Sequence, residues 1–145
     1  MRLTPCTALA TRVVLFGVVM LGGMRADAAD PCSMLTADQA AKALGVPEAK
    51  ASSGGTRCIW TPKKYIRGAG ETVTIILMDE KGFAAQRARL DVKPVAGIGD
   101  AAVQTTRVPV LTAKKGNVYF SVSVHGLPTD QAIAVEQSLA KQVTP

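Results

Sequence analysis

The stretch Pro94–His125, PVAGIGDAAVQTTRVPVLTAKKGNVYFSVSVH, specifies most of the β-structure of the chain. In its last eight residues apolar and polar side chains alternate, which is the period of a strand with two different faces. The predicted core face carries Val118, Phe120, Val122 and Val124, and the predicted solvent face carries Tyr119, Ser121, Ser123 and His125.

The rest of this stretch predicts two short strands and two turns. The strands are Ala101–Thr106 and Val108–Ala113, the second at a sheet edge or bulge because its proline cannot donate to the ladder. Residues 114–117, KKGN, predict a tight basic turn. The glycines of PVAGIGD permit a positive φ or a close backbone approach. Neither a dinucleotide fingerprint nor a phosphate loop is present, so we expect a structural turn.

Two more strands precede the central stretch. They are Thr56–Thr61 and Glu71–Asp79, the second rich in β-branched residues. Ala51–Gly55 is predicted to be a flexible connection. Pro62–Gly70, which is basic and ends in glycine, is predicted to be a solvated hairpin loop.

The first of three predicted helices occupies residues 33–47. Thr36 is a good N-cap, and Gln39, three residues later, can complete a capping box. Gly45 is suited to the left-handed position that ends a helix, and Pro47 forbids its continuation.

The other two predicted helices cover residues 81–90 and 127–143. Asp79 opens the first, with Phe83 and Leu90 as its buried anchors, and Thr129 is the predicted cap of the second. Early acidic residues, Asp130 and Glu136, suit the helix dipole of the last helix. Its predicted buried stripe is Ala132, Val135, Leu139 and Val143.

The predicted fold class is α+β, with the element order αββαβββα. Short hairpin links favour an antiparallel sheet of four or five strands, with the helices packed on one face. The sequence contains no internal repeat or heptad pattern, and its length suits one domain.

The first 28 residues have the pattern of a secretory signal peptide. Arginines precede Val13–Gly23, an apolar run of eleven residues, and Ala26-Asp27-Ala28 offers small residues for cleavage. A bilayer core needs about 20 apolar residues, so this run is too short for a membrane anchor. We expect residues 1–28 to be removed and residues 29–145 to form a single exported domain, periplasmic or secreted, without a transmembrane anchor.

Charge argues against a nucleic-acid partner. The chain has 17 basic and 11 acidic residues; three arginines and one aspartate leave with the signal peptide, so 14 and 10 remain. The remaining charges are interspersed and form no basic stripe of the kind that nucleic-acid binding requires.

Two cysteines remain after cleavage, Cys32 and Cys58, because Cys6 lies in the signal peptide. An even pair in a small exported domain predicts a disulfide. The alternative is a metal site that adds His125, the single histidine. Three scattered ligands without close spacing favour this much less, so no metal and no cofactor are expected.

Several short motifs resemble a family of small exported bacterial proteins and lipoproteins of unknown function. They are CSMLTADQAAKALG (32–45), CIW (58–60), GIGDAA (97–102) and KGNVYFSV (115–122), followed by a closing helix. The resemblance implies an envelope location and a paired first and second cysteine. It implies no catalytic residues. The chain departs from the lipoprotein members because Cys32 follows Ala-Asp-Pro, which is a poor lipidation box.

Two classes of function remain. A small hydrolase-like enzyme would use His125 with Ser121 or Ser123, and with Asp100 or Asp130, but no nucleophile elbow surrounds either serine. We therefore expect a non-catalytic binding module, monomeric, for an envelope protein or a small molecule. Its predicted contact residues are those of the polar strand face and the adjoining turn: Tyr119, Ser121, Ser123, His125, Lys114 and Lys115. The loop Lys63–Arg67 is the second candidate.

Overall fold

A computed structural model describes residues 30–64 and 70–143. The predicted signal peptide, its cleavage site and residues 65–69 of the basic loop lie outside the described residues. The strands are β1 (Ala49–Gly54), β2 (Arg57–Pro62), β3 (Thr72–Met78), β4 (Val92–Pro94), β5 (Ala101–Thr105), β6 (Val110–Lys115) and β7 (Val118–His125). The α-helices are α1 (Ala37–Leu44), α2 (Glu80–Arg87) and α3 (Thr129–Gln142), and a 3-10 turn spans Pro31–Ser33.

All seven strands belong to one antiparallel sheet in the order β1-β2-β3-β7-β6-β5-β4. β7 lies at the centre, between β3 and β6, where Val122 is opposite both Ile75 and Leu111. The stretch with the clearest alternation therefore forms the central strand.

The α+β class and the antiparallel sheet are confirmed, but the strand number and the element order were wrong. Two strands were not predicted. β1 is a run of small, mostly exposed residues that pairs with β2 around a turn with a left-handed Gly55, and β4 has only three residues. Hairpin pairing forms both strands, because neither carries the apolar pattern of a half-buried strand.

One face of the sheet packs on α1 and α3 and forms the main core. Trp60, Ile75, Leu111, Phe120 and Val122 are buried there. Residues of α1 and α3, and the residue that follows α3, complete this core, among them Ala40, Leu44, Ala132, Leu139 and Val143. The predicted core face of β7 is confirmed.

The third helix, α2, packs on the opposite face, so the prediction that the helices share one face was wrong. Phe83 of α2 lies with its ring centroid 5.4 Å from that of Tyr119, which points away from the core residue Phe120. Leu90, the second predicted anchor, follows the end of α2 and is exposed.

The ends of α1 and the start of α2 follow local sequence signals, but the start of α3 does not. Thr36 and Gln39 form the predicted capping box of α1, and Gly45 ends that helix at φ 66°. Asp79 caps α2 by accepting from the Gly82 N–H at 2.7 Å. The predicted cap of α3 was wrong, because Thr129 is already its first residue and no side chain caps it.

The glycine turn before β5 has the positive φ and the close backbone approach that its glycines permit. Gly97 and Gly99 both have positive φ, and the next residue, Asp100, donates its N–H to the Lys114 carbonyl at 2.8 Å. A Cβ on Gly99 would collide with that same carbonyl oxygen. This position therefore requires glycine both for its φ and for the close approach of the two strands.

Cys32 and Cys58 form the predicted disulfide, with their Cα atoms 5.1 Å apart. It ties the 3-10 turn to β2 across α1. Asp30 orders the turn by accepting from the Cys32 N–H at 2.9 Å. No helix in residues 30–64 and 70–143 has the length and apolarity that a membrane span requires.

Candidate functional site

The predicted contact residues of β7 share one face of the sheet, but they differ in exposure. His125 is exposed and Tyr119 is half-buried, whereas Ser121 and Ser123 are only 8% and 9% exposed. The row of four side chains therefore does not form a uniformly open surface.

The two serines are covered by their surroundings in the sheet. Ser121 is opposite Ile76 on β3 and Thr112 on β6, and Ser123 is opposite Thr74. These neighbours have longer side chains, and α2 packs over β3, β6 and β7 from the same side. Alternation predicts which face a residue occupies, but not whether a helix covers that face.

Tyr119 is the centre of a short row of aromatic and cationic side chains. On one side Phe83 packs against its ring, at an interplanar angle of 48°, and Arg87 lies over Phe83 with its guanidinium carbon 5.8 Å from the ring centroid. On the other side the Lys114 Nζ lies 5.8 Å from the Tyr119 ring centroid. These contacts hold the Tyr119 ring in place at the surface.

Two hollows flank Tyr119, and we call them together with this ring the Tyr119 groove. The first, of about 380 Å³, lies at the ends of β3 and β7 and is lined by Thr56, Leu77, Met78, Asp79, Asn117, Val118 and Tyr119. The second, of about 260 Å³, lies against α2 and is lined by Glu80, Phe83, Ala84, Arg87, Asp100, Ala101, Lys114 and Tyr119. The first hollow is mainly apolar, whereas the second has two carboxylates and two cations.

The two lysines of the predicted turn have different environments. Lys114 is opposite Tyr119 in the register and lies on the groove. The Lys115 Nζ instead donates to the Val143 carbonyl at 2.6 Å, at the end of α3 on the other side of the sheet. Lys115 therefore contacts the C-terminal helix and not the groove.

The hydrolase-like arrangement is not assembled among the described residues. His125 is exposed at the end of β7, opposite Thr72, and no hydrogen bond joins it to the buried Ser121 or Ser123 within that set. Asp100 Oδ2 accepts from the Gly116 N–H at 2.8 Å. No cluster of three or more His, Cys, Asp or Glu side chains suited to a metal ion occurs there either.

Sequence reasoning missed a buried carboxylate on the other face of the sheet. Glu136 of α3 is fully buried and accepts two hydrogen bonds, from Gln104 Nε2 at 2.7 Å and from the Val124 N–H at 3.0 Å. Burial raises the pKa of Glu136 above its usual value of 4.5, although both hydrogen bonds act in the opposite direction. The sequence did indicate this burial, because Glu136 lies four residues after Ala132 and three before Leu139, on the same face of the helix as the predicted buried stripe.

Comparisons of the chain with protein-family models, with curated proteins and with solved structures find no match. The functional proposal is therefore based on the geometry of the described residues.

Proposed function

We propose that this chain is an exported, non-catalytic binding module that contacts its partner through the Tyr119 groove. The observation that supports this most directly is the position of Tyr119, a half-buried ring held between Phe83 and Lys114 with a hollow on each side. A fixed aromatic ring offers contact area at low entropic cost, which is why tyrosine is enriched in interfaces.

The shape of the groove favours a protein partner over a small molecule. The hollow beside Met78 has about 380 Å³, but it lies open at the surface and would leave much of a small ligand in water. A partner's apolar side chain fits such a hollow, and methionine adapts readily to its shape. Lys114, next to it, would attract a carboxylate of the same partner.

Export is part of the proposal and rests on the N-terminal pattern and on the disulfide, which persists in oxidising compartments. We expect cleavage after Ala28. Intact mass measurement of the protein recovered from the periplasm or medium tests this. An intact N-terminus, or a lipid on Cys32, would contradict it.

Capture from an envelope extract tests the binding site. Met78→Asp places a charge in the apolar hollow, and Asn117→Arg fills its exposed rim without removing a buried contact. Ser52→Asp is the matched control, because it adds a charge to an exposed position of β1 outside the groove. Any captured protein is then purified and its affinity for each variant is measured by calorimetry.

We expect both groove variants to lose the partner and the Ser52→Asp variant to keep it, with thermal unfolding unchanged for Asn117→Arg. A partner that binds the Asn117→Arg and Met78→Asp variants with wild-type affinity would place the interface elsewhere. A captured small molecule in place of a protein would contradict the choice of partner class.

A further inference from the structure

Two large apolar side chains extend into solvent at one corner of the molecule. Leu90, between α2 and β4, is 105% exposed relative to its reference state, and Val108, between β5 and β6, is 59% exposed. They are the large apolar residues that are clearly exposed in residues 30–64 and 70–143. Neither contributes to the core, so folding does not explain them.

The two side chains belong to neighbouring segments. Val92 of β4 is opposite Thr105 of β5, and beyond this pair the Thr106 N–H donates to the Asp91 carbonyl at 3.3 Å. The pairing thus continues past the ends of both strands, and it brings the segment of Leu90 alongside that of Val108. We call residues 87–93 and 106–108 the Leu90 corner.

Cationic side chains surround this apolar tip. The corner contains Arg87, Arg89, Lys93 and Arg107, all exposed, against the single carboxylate of Asp91. The guanidinium of Arg87 lies over the Phe83 ring in the Tyr119 groove and is not free for the corner. Asp91 is already paired: Arg89 donates to its two oxygens, Nε to Oδ1 at 3.0 Å and Nη2 to Oδ2 at 3.1 Å. The remaining positive charge therefore has no acidic counterpart within the corner.

We propose that the Leu90 corner contacts an anionic lipid surface, with Leu90 and Val108 in the interfacial zone and Arg107 and Lys93 on lipid phosphates. Apolar tips flanked by basic residues suit that zone, where the apolar part leaves water and the guanidinium groups stay near the headgroups. Arginine also matches the geometry of a phosphate with two parallel hydrogen bonds. Two protruding side chains are a small area for a stable protein interface, which favours lipid over a protein partner.

Vesicle sedimentation with the exported, oxidised chain tests the proposal. The probes are vesicles of phosphatidylcholine alone and vesicles that also contain phosphatidylglycerol. We expect binding to the second kind only, weakened by salt. Leu90→Ser should lower the partition coefficient about tenfold or more, and Arg107→Gln about fivefold. Lys50→Gln, an equal loss of charge on β1 at the opposite edge of the sheet, should leave it nearly unchanged.

A Leu90→Trp variant reports insertion independently, because its emission should shift to shorter wavelength on anionic vesicles while that of Ser52→Trp should not. Three results would overturn the proposal: no preference for anionic vesicles, an equal loss with Lys50→Gln and Arg107→Gln, or full binding by Leu90→Ser. Binding to polyglutamate without binding to vesicles would likewise overturn it and assign the corner to an acidic protein.

Discussion

Glu136→Ala is expected to be strongly destabilising, because Glu136 accepts from two buried donors, the Val124 N–H and Gln104 Nε2. The pairing of β6 with β7 ends at Leu111, opposite Val122, so the Val124 N–H has no strand partner on that side and donates to Glu136. Without the carboxylate, the Val124 N–H loses its acceptor, whereas the Gln104 amide keeps the Thr105 carbonyl at 3.3 Å. An orphaned buried donor costs about 1–3 kcal/mol, so we expect a loss of at least this size, with a further cavity cost.

Glu136→Gln separates the hydrogen bonds from the charge. The Gln oxygen can accept from the Val124 N–H. Its amide can donate to Gln104 Oε1, which has no hydrogen-bond partner among the described residues, once the Gln104 amide turns over so that its oxygen and not its nitrogen faces residue 136. This variant should therefore remain much more stable than Glu136→Ala at every pH.

The contribution of Glu136 to the free energy of unfolding should depend on pH, and the direction of that dependence follows from its pKa. Because burial raises the pKa of Glu136 above 4.5, the folded chain keeps this proton to higher pH than the unfolded chain. The stability that this group contributes is complete below about pH 4.5 and declines as pH rises through the folded-state pKa. Asp91 does not interfere, because pairing with Arg89 lowers its pKa, so its contribution is lost only as pH falls below 3.8.

Urea unfolding at a series of pH values, followed by the fluorescence of the buried Trp60, measures both effects. The free energy of unfolding of the wild type minus that of Glu136→Gln should fall as pH rises above 4.5. Phe120→Ala, which removes a buried apolar side chain and leaves every titratable group in place, is the control, and its difference from the wild type should show no such trend. A pH-independent difference, or a cost of Glu136→Ala below about 1 kcal/mol, would refute the reasoning.

Three further predictions concern the fold. Thiol labelling of the denatured, unreduced protein should find no free cysteine, and Cys58→Ser should lower the free energy of unfolding by about 2–5 kcal/mol; labelling of two thiols would contradict the disulfide. Phe120→Ala should cost about 3–5 kcal/mol in urea unfolding, because Phe120 is fully buried in the core, and a cost below about 1 kcal/mol would contradict that position. Gly99→Ala should lower the melting temperature more than Gly116→Ala, because both have positive φ but only the first meets a carbonyl oxygen; equal losses would show that the close approach is unimportant.

The parts of the fold that were predictable from sequence are those that local physics determines. The two-residue period of β7 requires opposite faces for Tyr119 and Phe120, whatever strands lie beside them. The capping box of Thr36 and the left-handed Gly45 depend on a few consecutive residues, and they mark both ends of α1.

The parts that were missed depend on tertiary contacts. The residues of β1, AKASSG, have little strand propensity, and pairing with β2 determines their conformation. The face on which α2 packs is decided by Phe83 meeting Tyr119, a contact between segments 36 residues apart in the sequence.

Two errors bear directly on function. Leu90 has the spacing of a helical anchor relative to Phe83, but α2 ends at Arg87 and leaves Leu90 in solvent. Ser121 and Ser123 occupy the predicted face but are covered, so Tyr119 and Lys114 are the predicted contact residues that line the groove. Neither outcome follows from a pattern within one segment.

The central claim is that the chain works by binding a protein at the Tyr119 groove, and site-specific photocrosslinking in intact cells tests it most directly. A photoreactive phenylalanine analogue replaces Asn117 at the rim of the groove or, as the control, Ser52 on β1. The account predicts one discrete crosslinked product from position 117, absent from position 52 and lost when Met78→Asp is added. No product from position 117, or the same product from both positions, would contradict it.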